Sequence, residues 1–331
     1  ILFVRPASDD PVGTHNVKKL GGFAQTNRVR RILIMPKNLN DGSKLPPRLK
    51  VYLNLGTLMD LPAHSSWPRL EGTEAMAYLK EAGFEGIQDG DPKLCRHVGM
   101  GSAASGRVDT LTDAEVLARK FKSLGHEAAT LHVGSGFEND AEMDALVYSV
   151  LEASDKINFP LYIETHRATI TQDAWRTIQL AKRIPEVRFN GDFSHFYTGQ
   201  ELPYGDLEAK FRAMQPIFDR VRFMHGRIGN TACMQVDIGD GKSNVPQIFG
   251  AHNFMVHFRE MWTRAMAGFL TSAKPGDYLV LAPEILSPCY YYGRQFSLPD
   301  GTLREESDRY AQALVYAQVA RECFEAAKQR L

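Results

Sequence analysis

The 331-residue sequence has no CxxC pair, no excess of charge of either sign and no long apolar run. Its cysteines, Cys95, Cys233, Cys289 and Cys323, are scattered, which argues against a structural zinc framework and favours a reducing, cytoplasmic setting. Lys plus Arg number 39 and Asp plus Glu number 39, so net charge gives no reason to expect nucleic acid or an anionic membrane as a partner. A local basic cluster at Arg28, Arg30 and Arg31 is the one exception. No stretch approaches the roughly 20 apolar residues that a membrane helix needs. The opening ILFVRPASDDP is too brief an apolar run for a signal peptide, and a first residue other than Met reads as a processed or trimmed chain. Internal repeats and low-complexity segments are missing too.

What the chain does have is regular alternation. Hydrophobic residues make up 44% and charged residues 24%, as in ordinary globular proteins, and the length suffices for one large domain with a substantial core or for two ordinary ones. Apolar, strand-like runs occur at 48–56, 84–90, 96–101, 128–136, 159–165, 187–193, 221–227 and 278–286. They are nearly continuous rather than alternating, as expected of parallel strands buried on both faces. Helical periodicity fills the intervals at 72–82, 113–124, 138–155, 172–184, 205–219, 253–272 and 305–330, with Thr110 and Thr112 placed to cap the second of these. The third strand has the poorest helix before it. An open doubly wound sheet would place a glycine-rich phosphate turn after its first strand, and LNLGTLMDLPAHSS is not one. The pattern predicts a closed (β/α)8 TIM barrel over residues 48–331, with residues 1–47 as an N-terminal extension that packs on the barrel or caps one end. A long Gly-rich loop, 228–251, follows the seventh strand, and loops of that length are usually functional.

In such a barrel the polar residues at the C-terminal ends of the strands line the active site. Here those ends supply His132, Glu164, Asp192 with His195, His225 with Arg227, and Glu284. Three carboxylates and an imidazole converging on one volume would repel one another unless a cation joined them. Glu164, Asp192, His225 and Glu284 therefore read as a site for one divalent ion, Mn²⁺, Mg²⁺ or Co²⁺, with Zn²⁺ also suited. Taken singly, each has a plainer role: Glu284 as an ion-pair residue, His225 as a core histidine, Asp192 as a helix cap. Four consecutive strands ending this way favour the metal.

The motifs IETHRAT (163–169), GDFSHF (191–196), HGRIG (225–229) and LAPEI (281–285) resemble those of the xylose isomerase-like barrel superfamily of sugar isomerases, epimerases and zinc AP endonucleases. The resemblance spans roughly residues 48–330. It implies that Glu164, Asp192, His225 and Glu284 bind the metal and that His195 contacts substrate or metal. In the ketose 3-epimerase and hydroxypyruvate isomerase branches the first and last glutamates also move the substrate proton. It further implies a small-molecule carbohydrate substrate and a dimeric or tetrameric assembly.

The expected chemistry is isomerisation or epimerisation of a sugar, keto-sugar or related polyol by enediolate-type proton transfer between Glu164 and Glu284. His195, Arg227, His132 and His166 are the candidate substrate contacts, although Arg227 could instead pair with a loop acid such as Asp237. Trp262 and the Tyr290–Tyr292 run suit pocket walls or sugar stacking. A lyase that dehydrates a keto-polyol needs the same metal and base, and is the alternative. An AP-endonuclease-like phosphodiesterase fits less well. That trinuclear site requires an Asp-x-His on the loop after the seventh strand, where this chain has Cys233 and Gln235. His97 and His132 remain as ligands for a second ion. The substrate-binding Arg of the 3-epimerases is also replaced, by Gln235 or a neighbour.

Overall fold

The computed structural model describes residues 37–242 and 254–331. The basic cluster at Arg28, Arg30 and Arg31, the apolar stretch 30–36 and the later part of the 228–251 loop lie outside them.

Eight parallel strands close on themselves: β2 (Arg48–Asn54), β3 (Gly86–Gln88), β4 (Gly101–Val108), β5 (Ala128–Val133), β6 (Leu161–Glu164), β7 (Phe189–Gly191), β8 (Val221–Gly226) and β9 (Asp277–Pro283). Each pairs with the next, and β9 pairs with both β8 and β2, which completes the barrel and rules out an open sheet. Helices fill the connections. They are α1 (Gly72–Glu81), α2 (Pro92–His97), α3 (Asp113–Leu124), α4 (Asp140–Ile157), α5 (Ala174–Arg183), α6 (Ser194–Gly199), α7 (Leu207–Ala213), α8 (Gln215–Phe218), α9 (Phe254–Ser272) and α10 (Arg309–Lys328). A two-residue strand, β1 (Leu39–Asn40), runs antiparallel to the start of β9. Leu39 is buried there with Tyr52, Tyr162 and Tyr278, so residues 37–47 pack on the N-terminal end of the barrel. A short hairpin, β10 (Gln295–Ser297) and β11 (Leu303–Glu305), stands between β9 and α10. No described helix is long and apolar enough to cross a membrane.

The helical periodicity translates directly into packing. Met143, Leu146, Val147, Val150 and Leu151 of α4 are all buried against the barrel. Asn139 and Glu142 form a reciprocal capping box at its start. The α3 cap differs from the expectation: neither Thr110 nor Thr112 caps the helix through its side chain. Instead the Asp113 carboxylate accepts from the N–H groups of Asp109 and Thr110, at 2.9 and 2.7 Å.

The third barrel strand also lies elsewhere than expected. RHVGMG closes α2 and turns, and the strand is the following GSAASGRV. Such small residues carry no hydrophobic signal, yet the barrel interior demands them. A Cβ on Gly101 would sit 1.9 Å from the Tyr52 hydroxyl, and one on Gly86 would sit 2.4 Å from the Tyr52 ring. Large side chains from β2, β6 and β8 (Tyr52, Tyr162, Phe223) fill the interior, while Ala103 and Ala128 on β4 and β5 make room for them.

Candidate metal centre

Strand direction brings the expected residues to one end of the barrel. Glu164 ends β6, Asp192 follows β7, His225 is next to last in β8, and Glu284 follows β9. One ligand atom from each of these four lies within 4.8 Å of all the others. His225 Nδ1 is 3.4 Å from Glu164 Oε1 and 3.2 Å from Glu284 Oε2. Asp192 is fully buried, and its Oδ1 accepts from the Ser194 N–H and hydroxyl at 3.0 and 2.5 Å. The Asp192 carboxylate therefore combines a capping contact with a second oxygen, Oδ2, turned toward the cluster.

Two atoms decide whether this group suits a cation. Asp192 Oδ2 and His225 Nδ1 are buried without a hydrogen-bond partner among the described residues. Unpartnered buried polar atoms are costly. Both belong to the four-residue cluster, and both are good ligands for a hard or intermediate divalent ion. The tautomer agrees. Gln88 Nε2 donates to Thr130 Oγ1 at 2.9 Å and Gln88 Oε1 accepts from Asn54 Nδ2 at 3.2 Å, so Oε1 faces His225 Nε2 at 2.9 Å as an acceptor. His225 Nε2 therefore carries a proton and Nδ1 is the atom turned toward the cluster, where it would offer its lone pair to an ion once it gives up its own proton. The residues fit a divalent cation.

Burial pushes the His225 pKa down, but Glu284 and Glu164 outweigh it and hold it well above the ordinary histidine value. Burial likewise lifts the Asp192 carboxyl to about 6 in spite of Arg227. Burial would also raise Glu164, yet His225 and His132 hold it well below the usual range. Glu284 is lowered too, by Arg227 and His225 acting against its burial. In the absence of an ion, Arg227 and His225 supply the positive charge that these carboxylates face.

The other four candidates divide into two pairs. Arg227 is buried and lies 3.3 Å from Asp192 Oδ2, with its Nη2 bonded to Glu284 Oε2. It pairs with these site carboxylates, and the Asp237 pairing does not form. His195 is also fully buried, its Nε2 3.5 Å from Asp192 Oδ2 and from Arg227 Nη1. His132 and His166 are only partly buried. His132 Nε2 lies 3.3 Å from Glu164 Oε1, and this interaction with Glu164, working against burial, raises its pKa. The His166 ring sits between those of His132 and His195, with centroids 4.3 and 4.0 Å away. Burial, with His132 beside it, pushes the His166 pKa down to about 4. Its Nδ1 accepts from the Ala168 N–H at 3.2 Å, so the neutral ring keeps its proton on Nε2.

Several expectations shift. His97 ends α2, ahead of the N-terminal end of β4, so it does not join His132 in a second cluster; the second group of ligand atoms is His132, Glu164 and His166. Gln235 faces the main chain: its amide donates to the Leu286 carbonyl at 3.0 Å and accepts from the Leu286 N–H at 2.8 Å. Trp262 is fully buried in α9, its ring 6.2 Å from that of Tyr316. Of the three tyrosines, Tyr292 lies against the site, its ring 4.7 Å from the Arg227 guanidinium carbon and 6.3 Å from the His195 ring. Sequence reasoning missed Gln88, Asn54 and Asn190, whose amides orient His225, Glu284 and Glu164. The one available signal was their position at strand C-terminal ends.

The role of Gln88 is directly testable. Gln88→Met keeps the shape but removes the acceptor that fixes the His225 tautomer. Affinity for Mn²⁺, titrated calorimetrically, is expected to fall about 10- to 100-fold, the usual cost of losing such a supporting group. Unchanged affinity would mean that Gln88 is only a core residue.

No family model matches the sequence, and neither does any curated protein. Solved barrels of the xylose isomerase-like kind are similar to it. One, a xylose isomerase-like TIM barrel protein from Mycobacterium smegmatis in complex with magnesium, has 12% identity and a TM-score of 0.47, covering 85% of this chain and 98% of that one. A sugar phosphate isomerase/epimerase from Parabacteroides distasonis has 13% identity and a TM-score of 0.47, covering 81% and 96%. Endonuclease IV from Thermus thermophilus has 14% identity and a TM-score of 0.42, covering 85% and 100%. The barrel rests on its own strand pairing.

Proposed function

We propose that this chain is a divalent-metal-dependent isomerase or epimerase of a sugar, keto-sugar or related polyol, akin to the xylose isomerase-like barrels, with residues 48–331 as its catalytic barrel. The observation that carries this reading is the convergence of four strand-end ligands, two of them with orphaned buried atoms. Glu164, Asp192, His225 and Glu284 would hold the ion, Mn²⁺ by preference, with Mg²⁺, Co²⁺ or Zn²⁺ also suited to the donor set. A divalent ion there supplies Lewis-acid stabilisation of charge developing beside a carbonyl.

The chain's own groups do the remaining work. Glu164 and Glu284 are both held deprotonated, so either can take a proton from the carbon next to the carbonyl. Glu284 Oε2 is tied by Arg227 and Oε1 by Asn54, which fixes its orientation. His132, with its raised pKa and its Nε2 beside Glu164 Oε1, can supply a proton for the return step. The Nε2–H of neutral His166 is a fixed donor for a substrate oxygen. Buried His195 and Arg227 position Asp192 and Glu284 and support substrate binding from behind. Four unpaired cysteines suit a reducing cytoplasm.

The test is deuterium exchange. Mn²⁺-loaded protein is incubated in heavy water with a panel of ketoses and a keto-inositol, and the products are followed by NMR. Deuterium at the carbon beside the carbonyl, together with an isomer or epimer, is expected. An unsaturated, dehydrated product would assign the lyase chemistry instead, and no exchange with any substrate would overturn the reading.

A further inference from the structure

The mouth of the site carries a cation that the proposed chemistry does not use. Arg167 lies in the loop after β6, three residues beyond Glu164, and its side chain belongs to an exposed residue. Its guanidinium carbon sits 5.1 Å from the centroid of the Tyr292 ring, and the same ring lies 4.7 Å from the guanidinium carbon of Arg227. Tyr292 thus joins two guanidinium groups of different character. Arg227 is committed to Glu284 and Asp192. Arg167 has no carboxylate partner in the ion pairs formed among the described residues, and stacking leaves its planar fork of N–H donors open at the edge.

Asp89, just past β3, has the opposite sign. Its two oxygens accept from the Ser105 N–H and hydroxyl, each at 2.6 Å, and its charge interacts with Glu284 and His225. The site is therefore polar in both senses: a carboxylate after β3, suited to hydroxyl donors, and an available guanidinium after β6. A neutral sugar would leave that guanidinium without a counterpart.

We propose that the substrate is a hydroxylated carbon chain ending in an anionic group, phosphate or carboxylate, and that Arg167 receives that group. The inference rests on the sugar-directed reading of the same site and narrows its substrate class. Arg167 is a specificity residue; it takes no part in moving protons.

Calorimetric titration with D-fructose, D-fructose 6-phosphate and 5-keto-D-gluconate, with and without Mn²⁺, tests it. At least one anion is expected to bind wild-type protein about 10-fold or more tighter than fructose, the factor a charge-assisted hydrogen bond contributes. In Arg167→Gln that preference should vanish while fructose binding stays the same, and the anion that loses more names the group. Equal binding of all three by wild type, or a preference that survives Arg167→Gln, overturns the proposal. Mn²⁺ uptake by the same samples judges the metal reading separately, because Arg167 is not among its ligands.

Discussion

Glu164→Gln is expected to remove metal and activity together while leaving the barrel folded. Elemental analysis of wild-type protein equilibrated with Mn²⁺ should give about one ion per chain, as the four-ligand cluster implies. The variant should hold far less. The substitution is nearly isosteric, and it exchanges a charged ligand for a neutral one at a position buried to 3% exposure. Substrate proton exchange should fall by about 10²- to 10⁴-fold from loss of the base alone, before any loss of metal is counted. Folding and ligation separate cleanly in a thermal melt. Without metal, His225 and His132 hold the Glu164 carboxylate in its charged form, so the substitution also costs the apoprotein some stability, and ligation is read from the shift in melting on adding metal. With metal, wild type gains about 2.7 kcal/mol at an ion concentration 100 times the dissociation constant. The variant should gain almost nothing. A variant that still binds an ion stoichiometrically, or gains as much on adding metal as wild type, would place Glu164 in a structural role.

The strand-end cluster was legible because barrel geometry converts sequence position into spatial position. Each run such as LYIE or VRFMHG is buried on both faces, so its apolar length announces a strand and its terminal polar residue marks the rim. Glu164, Asp192, His225 and Glu284 could therefore be brought together before any coordinates were known. The third barrel strand escaped because its residues answer to Tyr52 on another strand rather than to hydrophobicity; Gly101 is small so that a tyrosine can fill the interior. Gln88 escaped for a related reason. A neutral amide at the end of a three-residue strand has no distinctive pattern, and its significance lies in reaching His225, 137 residues later in the chain. Arg167 and Tyr292 met only through the folding of two loops, which periodicity does not describe.

Arg309→Ala is expected to destabilise the protein by about 3–5 kcal/mol, the cost of breaking a buried ion pair on one side. Arg309 has no exposed surface. Its Nε donates to Glu305 Oε1 at 2.6 Å, Nη1 to the Thr57 carbonyl at 2.8 Å and Nη2 to the Asp60 carbonyl at 2.9 Å. Alanine would leave the buried Glu305 carboxylate and two main-chain carbonyls without their donor. Glu305 already has its pKa raised by burial against the opposing pull of Arg309, so losing the guanidinium drives it toward the protonated form. Urea unfolding measures the loss. The double variant Glu305→Met with Arg309→Met should recover part of it, because an apolar pair removes the stranded charge, but not all, because the carbonyls remain. The effect should also reach the candidate metal centre. Thr57, whose carbonyl Arg309 holds, donates its hydroxyl to the Pro283 carbonyl at 3.3 Å and accepts from the Ile285 N–H at 3.1 Å, gripping the main chain on both sides of Glu284. Weaker Mn²⁺ binding in Arg309→Ala, at temperatures where the variant is still folded, is the expected sign of that link. Unchanged affinity would confine Arg309 to fastening α10 against the barrel.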